Sequence, residues 1–334
     1  MSRSDSILVT GAAGFIGSTL IDRLLAEGRT VVGLDSFDPF YPENEKRENL
    51  AAATSHERFQ LVEGDIRDEA AVDRAFGAAG DGALVVHLAA LAGVRPSLER
   101  PTEYADVNVR GTSVMLDAAV RRCAAGFVFA SSSSVYGERS DGPFRESDPV
   151  DHPISPYAAT KKAGELIAHS FHHAHELPVR CLRFFTAYGP RQRPDLAVRK
   201  FADRLLRGES LPVFGDGSAR RDFTYIDDIV SGVVGAIDTN VSWGVFNLGA
   251  GRTISVLEMI ESLAHQLGLV PNLDFQRRQT GDVSNTWADI SAAQSALDYA
   301  PAVEFDAGVE RFVAWLATRS AAARDTAAQR GEQR

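Results

Sequence analysis

Nine residues near the amino terminus, Val9-Thr-Gly-Ala-Ala-Gly-Phe-Ile-Gly17, constrain the fold of this chain more than any other stretch. An apolar run, Ile7–Thr10, leads into them. An amphipathic stretch, Gly17–Glu27, follows, with Leu20, Leu24 and Leu25 on one face and Gly28 just past its end. Strand, glycine turn and helix in that order make a dinucleotide site. Gly11 permits the tight turn, Gly14 lets the backbone approach a pyrophosphate, and Gly17 allows close helix–strand packing. The helix start, with Phe15 and Ile16, supplies amide donors and positive potential. A second strand, Thr30–Leu34, runs into Asp35, followed by Ser36. An acid there accepts hydrogen bonds from an adenosine ribose and repels a 2′-phosphate, so NAD is expected rather than NADP.

Short apolar runs continue at Phe59–Glu63, Ala83–Leu88, Phe127–Ala130 and Val179–Phe184, with helical patterns between most of them. This alternation predicts an α/β fold, a Rossmann-type doubly wound parallel sheet covered by helices on both faces. Past Thr186 the rhythm changes. A loop at Arg191–Asp195, a helix over Ala197–Arg207, a turn at Phe214–Gly217, a strand over Val245–Leu248 and a helix over Ser255–Leu267 capped at Thr253 predict a smaller, partly interleaved C-terminal lobe that holds the substrate. The division expected is 1–185 plus about 226–250 for the first domain, 186–225 and 251–320 for the second, and 321–334 as a flexible tail.

The net charge of −10, from 35 basic and 45 acidic residues, argues against nucleic acid as a partner. The two cysteines, Cys123 and Cys181, sit in or beside apolar runs and suit a reducing compartment. No apolar run is long enough for a membrane span, and no leader is evident, so a cytoplasmic protein is expected. Histidines 169, 172, 173 and 175 cluster at a helix end, where imidazolium is favoured without a metal; no metal site is expected.

Tyr157 and Lys161 lie four apart in Ser155-Pro-Tyr-Ala-Ala-Thr-Lys161, which places both on one face of a helix with Pro156 in its first turn. A tyrosine is a poor base at its usual pKa of about 10, but a neighbouring cation favours tyrosinate. Such a pair can take a proton from a hydroxyl while hydride leaves the same carbon. A serine run, Ser131-Ser-Ser-Ser-Val-Tyr-Gly137, follows the fifth strand at the edge where such sheets bind ligands.

These pieces, from about residue 6 to about residue 300, resemble the extended, sugar-nucleotide branch of the short-chain dehydrogenases and reductases. The glycine spacing, with three residues from Gly11 to Gly14 and three more to Gly17, is that branch's. The resemblance implies a tightly bound NAD that is regenerated each turnover. It makes Gly64-Asp65-Ile66-Arg67-Asp68 the adenine-side segment, with Asp65 and Ile66 as contacts, and Leu88-Ala89-Ala90 the wall beside the nicotinamide ribose. It makes Ser132 the third catalytic group beside Tyr157 and Lys161, and aims Ser133 and Ser134 at a sugar. It also implies a homodimer, through pairing of Tyr104–Arg121 and Ser155–His172. The chain departs from the pattern at Ser36, where Asn is usual, and at Ala187, where Val is common.

Relatives that eliminate water, or that decarboxylate, carry an acid just before Val-Tyr-Gly. This chain has Ser133 and Ser134 there, which leaves epimerisation through a transient 4-keto sugar. Arg221, in Arg220-Arg-Asp-Phe-Thr-Tyr225, resembles the family's pyrophosphate grip; Val213 and Phe214 would flank a uracil, and Gln279 and Asp282 its ribose. His87-Leu-Ala-Ala-Leu-Ala-Gly-Val-Arg-Pro-Ser97, which contains Arg95, and Phe184-Phe-Thr-Ala-Tyr-Gly-Pro-Arg-Gln-Arg-Pro-Asp195 resemble UDP-glucuronate 4-epimerases. Thr186 stands where neutral-sugar relatives often carry Asn, and Gln279 where they often carry Arg. Thr186 could donate to a uronate, with Arg193 or Arg191 pairing with it. A UDP-sugar substrate is expected, most specifically UDP-glucuronate; the alternatives are a UDP-glucose type epimerase and a UDP-glucuronate decarboxylase.

Overall fold

The computed structural model describes residues 6–139, 141–277 and 285–331, with side chains described through Arg319. Seven parallel strands form the central sheet. Six of them are β1 (Ser6–Thr10), β2 (Thr30–Asp35), β3 (Phe59–Glu63), β4 (Leu84–His87), β5 (Gly126–Ser132) and β6 (Val179–Phe184). Their order across the sheet is β3, β2, β1, β4, β5, β6, with Trp243–Leu248 beyond β6 at the edge. Chain order reverses between β1 and β4, so the carboxyl ends of those strands open a crevice, the usual ligand site of a doubly wound sheet.

The continuous apolar runs are explained by burial on both faces. Ile7, Val9, Val31 and Val86 face one core, and Leu8, Val32, Leu34 and Val85 face the other. One pattern of alternation therefore feeds two cores. Helix α1 (Phe15–Ala26) starts at the glycine turn, and the short polar helix α2 (Glu43–Asn49) follows β2. Helix Pro156–His175 crosses behind β5 and carries Tyr157 and Lys161. Its first turn is fixed by the Ser155 hydroxyl, which accepts from the Ala158 amide at 3.1 Å, and by Pro156.

The stretch read as one helix from Tyr104 to Arg121 is interrupted. Helix Pro101–Ala105 passes through a π turn, Asp106–Arg110, into helix Gly111–Arg121. The wider turn carries Asn108, whose amide bonds both backbone groups of Leu91 and, at 3.0 Å, the Thr160 hydroxyl.

Outside the central sheet the strands are very short. Leu211–Phe214 pairs with Leu273–Gln276, Thr186–Tyr188 with Phe223–Tyr225, and Arg220–Arg221 with both Ile254–Ser255 and Asn285–Thr286. Helices Ala197–Leu206 and Val256–Leu267 cover them. The cap of the latter is Ser255, not Thr253. Ser255 and Glu258 form a reciprocal capping box, whereas the Thr253 hydroxyl accepts from Arg220 Nε at 2.8 Å. The last helix, Phe305–Gly331, packs back toward α2. Among the described residues no helix is long and apolar enough to cross a membrane.

Candidate active site

A cavity of about 430 Å³ runs along the carboxyl edge of the sheet. Its first wall is the glycine turn. Gly11 has φ 69°, and a Cβ there would come within 2.9 Å of the Ala89 amide nitrogen. A Cβ on Gly17 would collide with the Gly11 carbonyl oxygen. Only glycine leaves this backbone open beside a helix start, and that cradle fits a pyrophosphate.

Asp35 closes the next section. Its carboxylate accepts from the amides of Ala13 at 2.9 Å and Phe37 at 2.8 Å. Burial pushes its pKa up, against those two amides and the nearby Lys46 ammonium. Lys46 donates to the Asp38 carbonyl at 2.7 Å and lies 4.7 Å from the centre of the Tyr41 ring. Asp65 is gripped by Arg67 through two bonds, of 3.0 and 2.7 Å, which hold its carboxyl below the usual range. Ser36, Ile66, Leu88, Ala89 and Ala90 complete this half of the lining. The residues expected at a cofactor, from Gly11, Gly14, Phe15, Ile16 and Gly17 through Lys161, thus line one cavity.

At the other end the catalytic candidates meet. Ser132 ends β5, and its Oγ accepts from the Ser134 amide at 3.1 Å. Tyr157 lines the cavity beside Ser132, and burial pushes its phenol up. Lys161 donates to the Ala130 carbonyl at 2.7 Å, and burial brings its pKa down to about 7. The ammonium is 6.0 Å from the centre of the Tyr157 ring and is directed at the strand rather than at the phenol oxygen. In the protein alone burial dominates at Tyr157, opposed by Ser132 and Arg193 rather than by this lysine. One helical turn further, Glu165 accepts from Ser131 at 2.6 Å and from Arg183 at 2.8 and 2.9 Å, a buried pair that fastens the helix to β5 and β6.

Ser133, Ser134, Thr186 and Arg193 line the same end. The two loop arginines differ in position. Arg191 forms an ion pair with Asp22 at 2.7 Å on α1 and does not line the cavity. Arg193 does line it, bonded to Asp195 at 3.0 and 2.9 Å with its guanidinium 5.4 Å from the Phe40 ring centre.

Four of the remaining substrate candidates, Arg95, Val213, Phe214 and Arg221, are not among the residues that line this cavity. Arg95 lies over the Phe214 ring at 5.1 Å. The Val213 side chain is fully buried in the core, one residue out of phase with half-buried Phe214. Arg221 is half-buried in the three-stranded patch. Gln279 and Asp282 fall outside the described residues. Conversely, Lys46, Tyr41, Arg67 and Phe185 line the cavity without having been singled out in the sequence. For Lys46 the local signal was misleading, because Glu43-Asn-Glu-Lys-Arg-Glu-Asn49 reads as a solvated helix.

The family model described as GDP-mannose 4,6 dehydratase matches residues 8–312. A UDP-glucuronate 4-epimerase of Thermodesulfobacterium geofontis is 39% identical over 313 residues, covering 92% of this chain and 95% of that one. A probable UDP-glucuronate 4-epimerase of Rhizobium meliloti is 38% identical over 327 residues, covering 92% and 96%. A crystal structure of the UDP-glucuronic acid 4-epimerase of Bacillus cereus, in complex with UDP-glucuronic acid and NAD, superposes with a TM-score of 0.87 at 37% identity, covering 93% of this chain and 99% of that one.

Proposed function

The chain belongs to the GDP-mannose 4,6-dehydratase family, in the extended branch of the short-chain dehydrogenases and reductases, and from that premise we propose that it interconverts UDP-glucuronate and UDP-galacturonate by NAD-dependent epimerisation at C4. The observation that carries the reading is the meeting of Ser132, Tyr157 and Lys161 in one cavity with the glycine cradle, with serines in place of an acid before Val135.

Bound NAD supplies a reversible acceptor for the C4 hydride and a positive ring that favours tyrosinate. Tyr157 takes the C4 hydroxyl proton as hydride leaves that carbon, and returns it to the ketone oxygen when hydride comes back on the opposite face. Ser132 hydrogen-bonds the same oxygen. Lys161 holds the cofactor ribose. Gly11, Gly14, Phe15, Ile16 and Gly17 hold the pyrophosphate; Asp35 and Ser36 hold the adenosine ribose, Asp65 and Ile66 the adenine, and Leu88–Ala90 the nicotinamide side. Arg221 and Arg95 take the substrate diphosphate, Phe214 with the Val213 backbone the uracil, and Gln279 and Asp282 its ribose.

The C4 ketone of a glucuronate is a β-keto acid, prone to lose carbon dioxide. Ser133, Ser134, Thr186 and Arg193 hold its carboxylate so that the C5–C6 bond stays out of line with the ketone π system. Arg193→Ala or Thr186→Ala is expected to slow epimerisation and to raise the UDP-pentose by-product; unchanged rate and by-product would remove these residues from that role. Incubation with UDP-glucuronate followed by NMR tests the whole reading. UDP-galacturonate is expected, UDP-pentose alone would mean a decarboxylase, and turnover of UDP-glucose only would mean a neutral-sugar epimerase.

A homodimer in the cytoplasm completes the proposal. Leu166 on helix Pro156–His175, Ile154 just before it and Leu98 on the helix packed against it leave apolar surface exposed, and both cysteines are free thiols. Sedimentation at micromolar concentration reads the dimer directly.

A further inference from the structure

Helix α2 is short and polar, yet two of its side chains are buried. Lys46 and Asn49, three apart, face inward. Lys46 lines the cavity beside Asp35, and Asn49 donates to the Ala13 carbonyl at 3.1 Å inside the glycine turn. The Ala13 amide is the group that Asp35 accepts from. Helix α2 therefore covers the adenosine end of the cavity and touches both of its fixed points.

The neighbouring stripe of α2, Glu45 and Glu48, faces the other lobe. Glu45 Oε2 lies 3.4 Å from Arg199 on helix Ala197–Leu206 and 3.5 Å from Arg319 on the last helix. Glu48 lies 3.1 Å from Arg319. The two guanidiniums stack on one indole, 5.2 and 5.3 Å from the centre of the Trp315 ring, which fixes both in place. Arg199 is further held by the Gln192 carbonyl at 3.1 Å and by Asp203 at 3.2 Å. The side chains of Arg199 and Glu45 are only 9% and 18% exposed, so this pair is shielded from solvent more than a surface pair is. Both arginines come from outside the sheet domain, and both acids come from the helix over the cofactor end.

We propose that Arg199 and Arg319 form a latch on Glu45 and Glu48 that holds α2 down and so sets how long NAD stays bound. An enzyme that must give back the hydride it has taken gains from slow cofactor release, because NADH lost in mid-cycle strands the ketone. The latch supplies retention without adding a group to the reacting end. It rests on the assignment of the cavity to NAD, but not on which sugar is turned over.

The test reads cofactor release. Purified holoprotein is diluted into excess NAD-degrading enzyme, and the NAD left on the protein is followed by chromatography after denaturation. Glu45→Ala and Arg319→Ala are each expected to speed release about three- to fivefold, the range for partly shielded ion pairs. The double variant should release faster than either single but by less than the product of the two, because both singles already break the shared Glu45–Arg319 pair. Arg319→Lys, which keeps the charge, should release more slowly than Arg319→Ala. Added salt should speed release from the native protein more than from the double variant. Thermal melts of the same samples identify any variant that is not folded. Native release rates in both single variants, or a double variant whose effect is the product of the singles, would overturn the latch. Absence of NAD from the native protein would instead overturn the cofactor assignment beneath it.

Discussion

The two halves of the ligand path are built on different terms. The cofactor half is assembled from the ends of adjacent parallel strands of one sheet. Gly11, Asp35, Asp65, Leu88 and Ser132 each end or follow one of β1 to β5, and all line one cavity. The substrate half hangs on strands of two to four residues, and its candidates are dispersed. Arg193 and Thr186 reach the cavity, while Arg95, Phe214 and Arg221 stand apart from it. Position at a strand end follows from period and chain order. Position in a loop-built lobe follows from contacts between residues far apart in sequence. Asp222 illustrates the second case: it accepts from the amides of Ala250, Gly251 and Ala288 and from Thr224, joining three segments that no local pattern connects.

The sharpest way to break this comparison is at the junction of the halves. Tyr157→Phe removes the proton acceptor and leaves the ring packed edge-on to Tyr104, with centroids 6.3 Å apart. Turnover of UDP-glucuronate is expected to fall about a thousandfold, the usual share of a general base. Bound NAD and the melting temperature should not change, since the cofactor half is held by backbone and by Asp35. A variant that lost NAD along with activity would show that the two halves are not separable in this way.

Legibility in the sequence follows the same division. The sheet was readable because strands buried on both faces leave unbroken apolar runs, and the glycine turn because its three glycines each answer a steric demand. Thr253 lies too far before the first helical residue, Val256, to cap the helix, and Arg220 engages its hydroxyl. Lys46 was missed because a polar helix looks solvated until another lobe is placed over it. Val213 shows the cost of a one-residue phase error: in a strand, neighbouring side chains face opposite ways, and its own faces the core.

A smaller effect tests how rigidly the cofactor half is sealed. His87, at the end of β4, is fully buried between the hydroxyls of Thr10 at 2.8 Å and Thr112 at 3.1 Å. Burial pushes its pKa down to about 3. Below about pH 6.5 the unfolded chain takes a proton on this ring and the folded protein does not, so stability is complete above that pH. It should decline by about 1.4 kcal/mol per pH unit as pH falls toward 3. Urea melts at several pH values measure that slope, and His87→Gln should lessen it. An unchanged slope in the variant would place the acid sensitivity in other groups.

The smallest expected effect lies in the substrate half and separates its local from its long-range supports. The Ser255 hydroxyl satisfies the Glu258 amide at 3.1 Å, and the Glu258 carboxylate returns a bond to the Ser255 amide at 2.6 Å. Ser255→Ala should cost about 1 kcal/mol, seen as a lower melting temperature. KM for UDP-glucuronate should stay near its native value, because the hydroxyl removed bonds the Glu258 amide and the Glu258–Arg220 ion pair, at 3.2 Å, is left in place. Thr253→Val removes a bond to Arg220, the neighbour of Arg221, and so acts on the patch rather than on the helix. If the lobe is held mainly by contacts across segments, Thr253→Val raises KM while Ser255→Ala does not. If both raise it equally, the helix itself positions the diphosphate grip, and the substrate half is more locally determined than its short strands indicate.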